Sequence, residues 1–127
     1  MKILLVDDDT FLIDMYAAKF SSSGHSVDTT KSVETALEKL RGGGLYDAIL
    51  LDMILPNMTG IDLLNAIRAE NLLGKAKTIV LSNQGDQTDI DSAIQAGADG
   101  YIVKAHMIPS EVVAKVVSIV EQANPKT

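Results

Sequence analysis

Cysteine is missing from all 127 residues. Disulfide staples, thiolate zinc sites and thiol nucleophiles are thereby excluded. Tryptophan is also missing, and Phe and Tyr together fill only five positions, so the core must be aliphatic. Basic residues are few: 11 Lys and Arg stand against 17 Asp and Glu, for a net charge of −6. Phosphate backbones are held by Lys/Arg patches, so this balance argues against nucleic-acid binding by the domain alone. No apolar run approaches the roughly 20 residues that a bilayer span needs. Lys2 is followed by only four apolar residues before acids begin, which is not the pattern of a secretory leader. These absences set the expectation of a cytoplasmic domain without membrane contact that holds cations or meets basic surfaces.

What is present is an alternation. Apolar residues make up 46% of the chain, enough for one ordinary domain. Strand-like runs fall at Lys2–Val6, Ser26–Thr29, Ala48–Leu51, Thr78–Leu81 and Gly100–Val103. Three of them are nearly continuous apolar, as strands are when helices cover both faces of a parallel sheet. Helical periodicity fills the intervals at Phe11–Ser22, Ser32–Arg41, Gly60–Glu70, Thr88–Ala96 and Ser110–Gln122. Ser32 is placed to cap the second helix, Gly97 to end the fourth and Pro109 to open the fifth. Alternation of this kind predicts an α/β fold with a flavodoxin-like (βα)5 three-layer sandwich and a parallel sheet of order 2-1-3-4-5. One domain over residues 1–123 and a tail over 124–127 are expected.

In such a sheet, ligands bind beyond the carboxyl ends of the strands, near the switch in strand order. Asp7, Asp8 and Asp9 follow the first strand, Asp52 the third, Ser82 and Asn83 the fourth, and Lys104 the fifth. Carboxylate oxygens are hard ligands suited to Mg²⁺. A phosphoryl group needs cations and hydrogen-bond donors on its oxygens, and a carboxylate can itself be the nucleophile. The strand ends therefore carry the parts for phosphoryl transfer to an aspartate. Each residue also has a plainer reading. Asp9 precedes Thr10 and Phe11 as a helix cap would, Ser82 alone could be a turn residue, and Lys104 alone a surface lysine. Asp52 stands too far before the next helix to cap it. His25 and His106 have no partner at metal-ligand spacing and read as surface loop residues, with His106 two residues past Lys104 near the rim.

The stretches "ILLVDDD", "DAILLDMILPNMTGIDLL", "IVLSN" and "AGADGYIVKA" together resemble the receiver domain of bacterial two-component response regulators, in the manner of single-domain chemotaxis regulators. The resemblance covers essentially the whole chain. It implies that Asp52 is the phosphoacceptor and that Asp8 binds Mg²⁺ directly, with Mn²⁺ as a possible substitute. It implies that Asp7 acts mainly through water and that the Ile54 backbone carbonyl is the third protein ligand. Ser82 is then the hydroxyl that turns toward the phosphoryl group, Lys104 the lysine that pairs with its oxygens, and Tyr101 the aromatic that switches with Ser82. A sensor histidine kinase or a histidine phosphotransfer protein would be the donor, with a downstream effector left open. The family is a signalling switch rather than an enzyme, although it assists its own phosphorylation and dephosphorylation.

Two positions depart from the pattern as possible modulators. Ala105 stands where the family has proline in a cis peptide, so the loop either keeps a costly cis bond or relaxes to trans and moves Lys104. Asn83 stands where a small residue is usual. Two other readings stay open: a receiver-like docking module without phosphotransfer, and a haloacid-dehalogenase-like phosphatase. The second would use the near-motif Asp7-Asp8-Asp9-Thr10-Phe11, with Phe11 where Thr or Val is expected. The opening Met and early stop favour a stand-alone receiver or the N-terminal receiver of a longer regulator.

Overall fold

The computed structural model describes residues 1–55, 58–83 and 85–123. The expected tail at 124–127, and Pro56 and Asn57 of the loop after the third strand, lie outside the described residues. The elements in chain order are β1 (Lys2–Val6), α1 (Thr10–Ser22), β2 (Ser26–Thr30), α2 (Val33–Arg41) and β3 (Ala48–Asp52). Then come β4 (Ile54–Leu55), β5 (Met58–Thr59), α3 (Gly60–Ala69), β6 (Lys77–Ser82), α4 (Gln87–Gln95), β7 (Gly100–Val103) and α5 (Pro109–Ala123). A short 3-10 turn, Lys104–His106, links β7 to α5.

Five strands form one parallel sheet in the order β2-β1-β3-β6-β7. This is the expected 2-1-3-4-5 order, because β4 and β5 stand outside that sheet as a two-residue antiparallel ribbon. The ribbon was not expected; two-residue strands are too short for hydrophobic alternation to reveal.

Side chains alternate across the sheet, and each face has its own core. Ile3, Leu5, Leu50, Ile79 and Leu81 pack under α1 and α5 with Phe20, Val112 and Val116. Leu4, Val6, Ile49 and Leu51 face the other way, onto Ala36, Leu63, Leu64 and Ile67 of α2 and α3. Full burial of each such aliphatic side chain contributes about 1.5–3 kcal/mol. A third and smaller cluster of Met53, Val80 and Ala93 attaches α4.

The helix ends follow the chemistry of their residues. Ser32 caps α2 and Asp86 caps α4 through their side-chain oxygens. Gly97 follows the last turn of α4 with φ +97, a conformation that glycine adopts without steric cost. The strand order reverses about β1: the chain goes to β2 on one side, then back past β1 to β3, β6 and β7 on the other. Val6 pairs with Leu51, so one step further in that register Asp7 stands beside Asp52.

Candidate functional site

The carboxyl ends of β1, β3, β6 and β7 meet around a pocket of about 570 Å³ whose lining includes Asp7, Asp8, Asp52, Ser82 and Lys104. Asp7 is fully buried while Asp8 is exposed. The Asp7 N–H donates to the Thr30 carbonyl at 3.1 Å, which extends the β1–β2 ladder to the rim of the site. Asp7 Oδ1 accepts from the Asp9 N–H at 3.0 Å. Lys104 Nζ donates to Asp7 Oδ2 at 3.2 Å and to Asp52 Oδ1 at 3.4 Å, and its side chain is only 5% exposed.

Asp52 is held by the backbone around it. The Met53 N–H donates to the Leu81 carbonyl at 2.8 Å, and the Gly60 N–H donates to the Met53 carbonyl at 2.9 Å. A Cβ on residue 60 would overlap the Asp52 carbonyl, so glycine is required for this close return of the chain. Thr59 and Asp62 then form a capping box that starts α3, each side chain accepting from the other's N–H at 3.1 Å. The ribbon β4–β5 and this cap close the loop that presents Asp52.

The charges do not balance. Three carboxylates, those of Asp7, Asp8 and Asp52, bring an oxygen each within 4.8 Å of one another. A single ammonium, Lys104, faces two of them. Burial pushes the Asp52 carboxyl up to about 6, the Asp7 charge adds to the rise, and Lys104 pulls it only part of the way back. Burial also pushes the Lys104 ammonium down, but the charges of Asp52 and Asp7 outweigh it and hold it above its ordinary value. Lys104 therefore stays charged, and its one positive charge offsets only part of the negative charge of the trio. Hard carboxylate oxygens gathered this closely are a donor set that could hold a divalent cation.

A family model described as response regulator receiver domain matches residues 3–116. The chain belongs to that family. It is 34% identical to the DNA-binding response regulator MtrA of Mycolicibacterium paratuberculosis over 119 residues, which cover 91% of this chain and 49% of MtrA. The receiver domain thus spans about half the length of the curated relatives it matches. Among solved structures it is similar to a CheY-like receiver domain protein of Methanospirillum hungatei. That match has TM-score 0.84 and 27% identity, and covers 95% of this chain and 94% of the other. It is similar too to the BeF3-activated DrrB receiver domain, with TM-score 0.79, 25% identity and coverage of 94% and 96%. DrrB is an OmpR/PhoB homologue of Thermotoga maritima.

In this receiver domain the residues singled out from sequence mostly converge. Asp7, Asp8, Asp52, Ile54, Ser82, Asn83 and Lys104 all line the one pocket. Ser82 ends β6 and is buried. Tyr101 lies on β7 beside Val80 and packs against the Met53–Val80–Ala93 cluster. Ala105 is exposed, and all described peptide bonds are trans. Lys104 still reaches both Asp7 and Asp52, because the turn Lys104–His106 sets its direction without a proline. Asp9 caps α1, accepting from the Phe11 and Leu12 N–H groups. His25 precedes β2 at the far end of the sheet, and His106 is exposed. Sequence reasoning missed Thr59, Ile61, Asp89 and Ser92, which also line the pocket. The Thr59–Asp62 capping pattern was legible. Asp89 and Ser92 share a face of α4 through their spacing of three, but nothing in the sequence says that this face meets the site.

Proposed function

We propose that this receiver domain accepts a phosphoryl group on Asp52 from the phosphohistidine of a sensor kinase or phosphotransfer protein, and passes the change to a partner-binding face. The observation that carries this reading is the convergence of three carboxylates, two of them bonded to the buried Lys104 ammonium, at the switch in strand order. The relative solved in its BeF3-activated form supports it. The working unit is the domain over residues 1–123, acting in the cytoplasm where the kinase's phosphohistidine would be presented.

Asp7, Asp8 and Asp52 would hold Mg²⁺, together with the Ile54 carbonyl. When bound, the ion supplies positive charge that offsets repulsion among the acids and toward the incoming phosphoryl oxygens. An Asp52 carboxylate oxygen attacks phosphorus as the P–N bond to imidazole breaks. The nitrogen lone pair leaves with the imidazole, which then takes a proton from solvent. Lys104, already 3.4 Å from Asp52, pairs with a phosphoryl oxygen, and the Ser82 hydroxyl donates to another. Tyr101 follows Ser82, which changes the surface made by α4, β7 and α5. Hydrolysis by water returns the free carboxylate.

The test is incubation with Mg²⁺ and a small phosphodonor, followed by intact-mass and peptide analysis. One phosphoryl mass on Asp52, absent in Asp52→Ala and abolished by chelation, is the expected result. No incorporation, or equal incorporation in Asp52→Ala, would overturn it. Steady phosphate release that depends on Asp7 and not on Asp52 would instead mark a phosphatase.

A further inference from the structure

Asp9 takes no part in the proposed reaction, yet two hydrogen-bonded turns run through it in series. In the first, the Asp9 N–H donates to Asp7 Oδ1 at 3.0 Å. In the second, Asp9 Oδ1 accepts from the Phe11 N–H at 3.0 Å and the Leu12 N–H at 3.3 Å. The Asp9 carbonyl also accepts from the Ile13 N–H at 3.0 Å, which begins the ladder of α1. The peptide between Asp8 and Asp9 is thus fixed from its helix side. Its N–H donates to Oδ1 of the buried Asp7 carboxylate, while Lys104 donates to Oδ2.

We propose that Asp9 is a positioning residue for the divalent-cation site: its cap on α1 fixes the N–H that aims the Asp7 carboxylate toward Asp8 and Asp52. The inference rests on the proposed function, in which Asp7 is a metal ligand. It assigns Asp9 a role beyond starting a helix. A side chain that orients a ligand through one hydrogen bond affects metal affinity far more than its own distance suggests. The cap geometry, not the Asp9 charge, carries the effect, because the carboxylate oxygen is spent on backbone N–H groups of α1.

The two readings separate in a panel of variants. Asp9→Asn and Asp9→Ser keep a cap oxygen and remove the charge, whereas Asp9→Ala removes the cap. Ser32→Ala removes a comparable cap from α2, whose residues do not line the pocket, and is the control for lost helix stability. Mg²⁺ affinity is read by calorimetry, and stability by urea unfolding in chelator. Asp9→Ala is expected to weaken Mg²⁺ binding about tenfold. Asp9→Asn, Asp9→Ser and Ser32→Ala should stay within about twofold of wild type. Unchanged affinity in Asp9→Ala, with stability lost as in Ser32→Ala, would reduce Asp9 to a simple cap and overturn the proposal. Equal weakening in Asp9→Asn and Asp9→Ala would assign the effect to charge and overturn it too. A wild type that binds no Mg²⁺ would sink the metal reading of the site itself, and this proposal with it.

Discussion

Replacing Asp52 with Asn should stabilise the metal-free protein at neutral pH, although it removes the proposed reactive group. The folded carboxyl is pushed up to about 6 from an ordinary 3.8, by burial first and then by Asp7. Between those values the native state holds a proton that the unfolded chain has released. Stability contributed by the neutral form is therefore lost as pH rises through this window, and the loss is complete above it. At 1.36 kcal/mol per pKa unit, the ionised carboxylate costs roughly 3 kcal/mol at pH 7.5 and about 1 kcal/mol at pH 4.5. Asn has the same shape and no charge to desolvate, and its amide oxygen leaves Lys104 an acceptor. Urea unfolding in chelator, followed by far-ultraviolet circular dichroism, measures the difference directly. The Asp52→Asn midpoint should exceed wild type at pH 7.5, and the gap should narrow by about two thirds at pH 4.5. A variant less stable than wild type at pH 7.5, or a gap that ignores pH, would refute the account of a carboxylate strained by burial and its neighbours.

Other perturbations act on the same parts. Saturating Mg²⁺ should stabilise wild type by about 2.7 kcal/mol at a hundredfold excess over Kd. Thermal melts should show a much smaller gain in Asp52→Asn, and equal gains would remove Asp52 from the ligand set. Lys104→Met strips the ammonium from two carboxylates, 3.2 and 3.4 Å away. It should cost about 3–5 kcal/mol without metal, part of it regained with Mg²⁺, as read by urea unfolding. Gly60→Ala forces a Cβ onto the Asp52 carbonyl. That should cost about 1–3 kcal/mol in unfolding and slow phosphorylation from a small donor. Gly43→Ala, strained by its φ of +89 but placed before β3 and outside the pocket lining, should lose stability and leave phosphorylation unchanged.

Much of the fold was legible because both signals it uses are local. Continuous apolar runs such as Ile49–Leu51 gave the buried strands, and periodic stripes such as Val112, Val113, Val116 and Val120 gave the helices. The acid site was legible for a different reason. In a parallel sheet every strand end on one side meets the same crevice, so residues far apart in sequence can be placed together without knowing any distance. What escaped reading depends on three-dimensional return of the chain. The β4–β5 ribbon needs only two residues per strand and leaves no periodicity. Asp89 and Ser92 reach the pocket because of how α4 leans on the sheet, which its own sequence does not encode. The Lys104–Ala105 peptide was undecidable from residue type alone, and the turn at Lys104–His106 resolves it as trans.

The uneven anchoring of the helices bears on how the proposed switch would work. α3 buries Leu63, Leu64 and Ile67, and α1 buries Ile13, Tyr16 and Phe20, whereas α4 buries Ala93 alone. Moving a two-state equilibrium from 1:99 to 99:1 takes about 5.5 kcal/mol. A phosphoryl group offers charge-assisted hydrogen bonds of about 1.5–3 kcal/mol each, so bonds from Ser82 and Lys104 supply a sum of that order. Such a sum could not lift a helix held by three large aliphatic side chains at about 1.5–3 kcal/mol apiece, since their burial alone matches or exceeds it. It suffices for α4, whose attachment runs through Met53, Val80 and Ala93, with Tyr101 packed against them. Met53 directly follows Asp52, so the cluster that holds α4 begins one residue from the acid proposed to be modified. The helix with a single buried side chain is thus also one whose packing cluster begins next to the site.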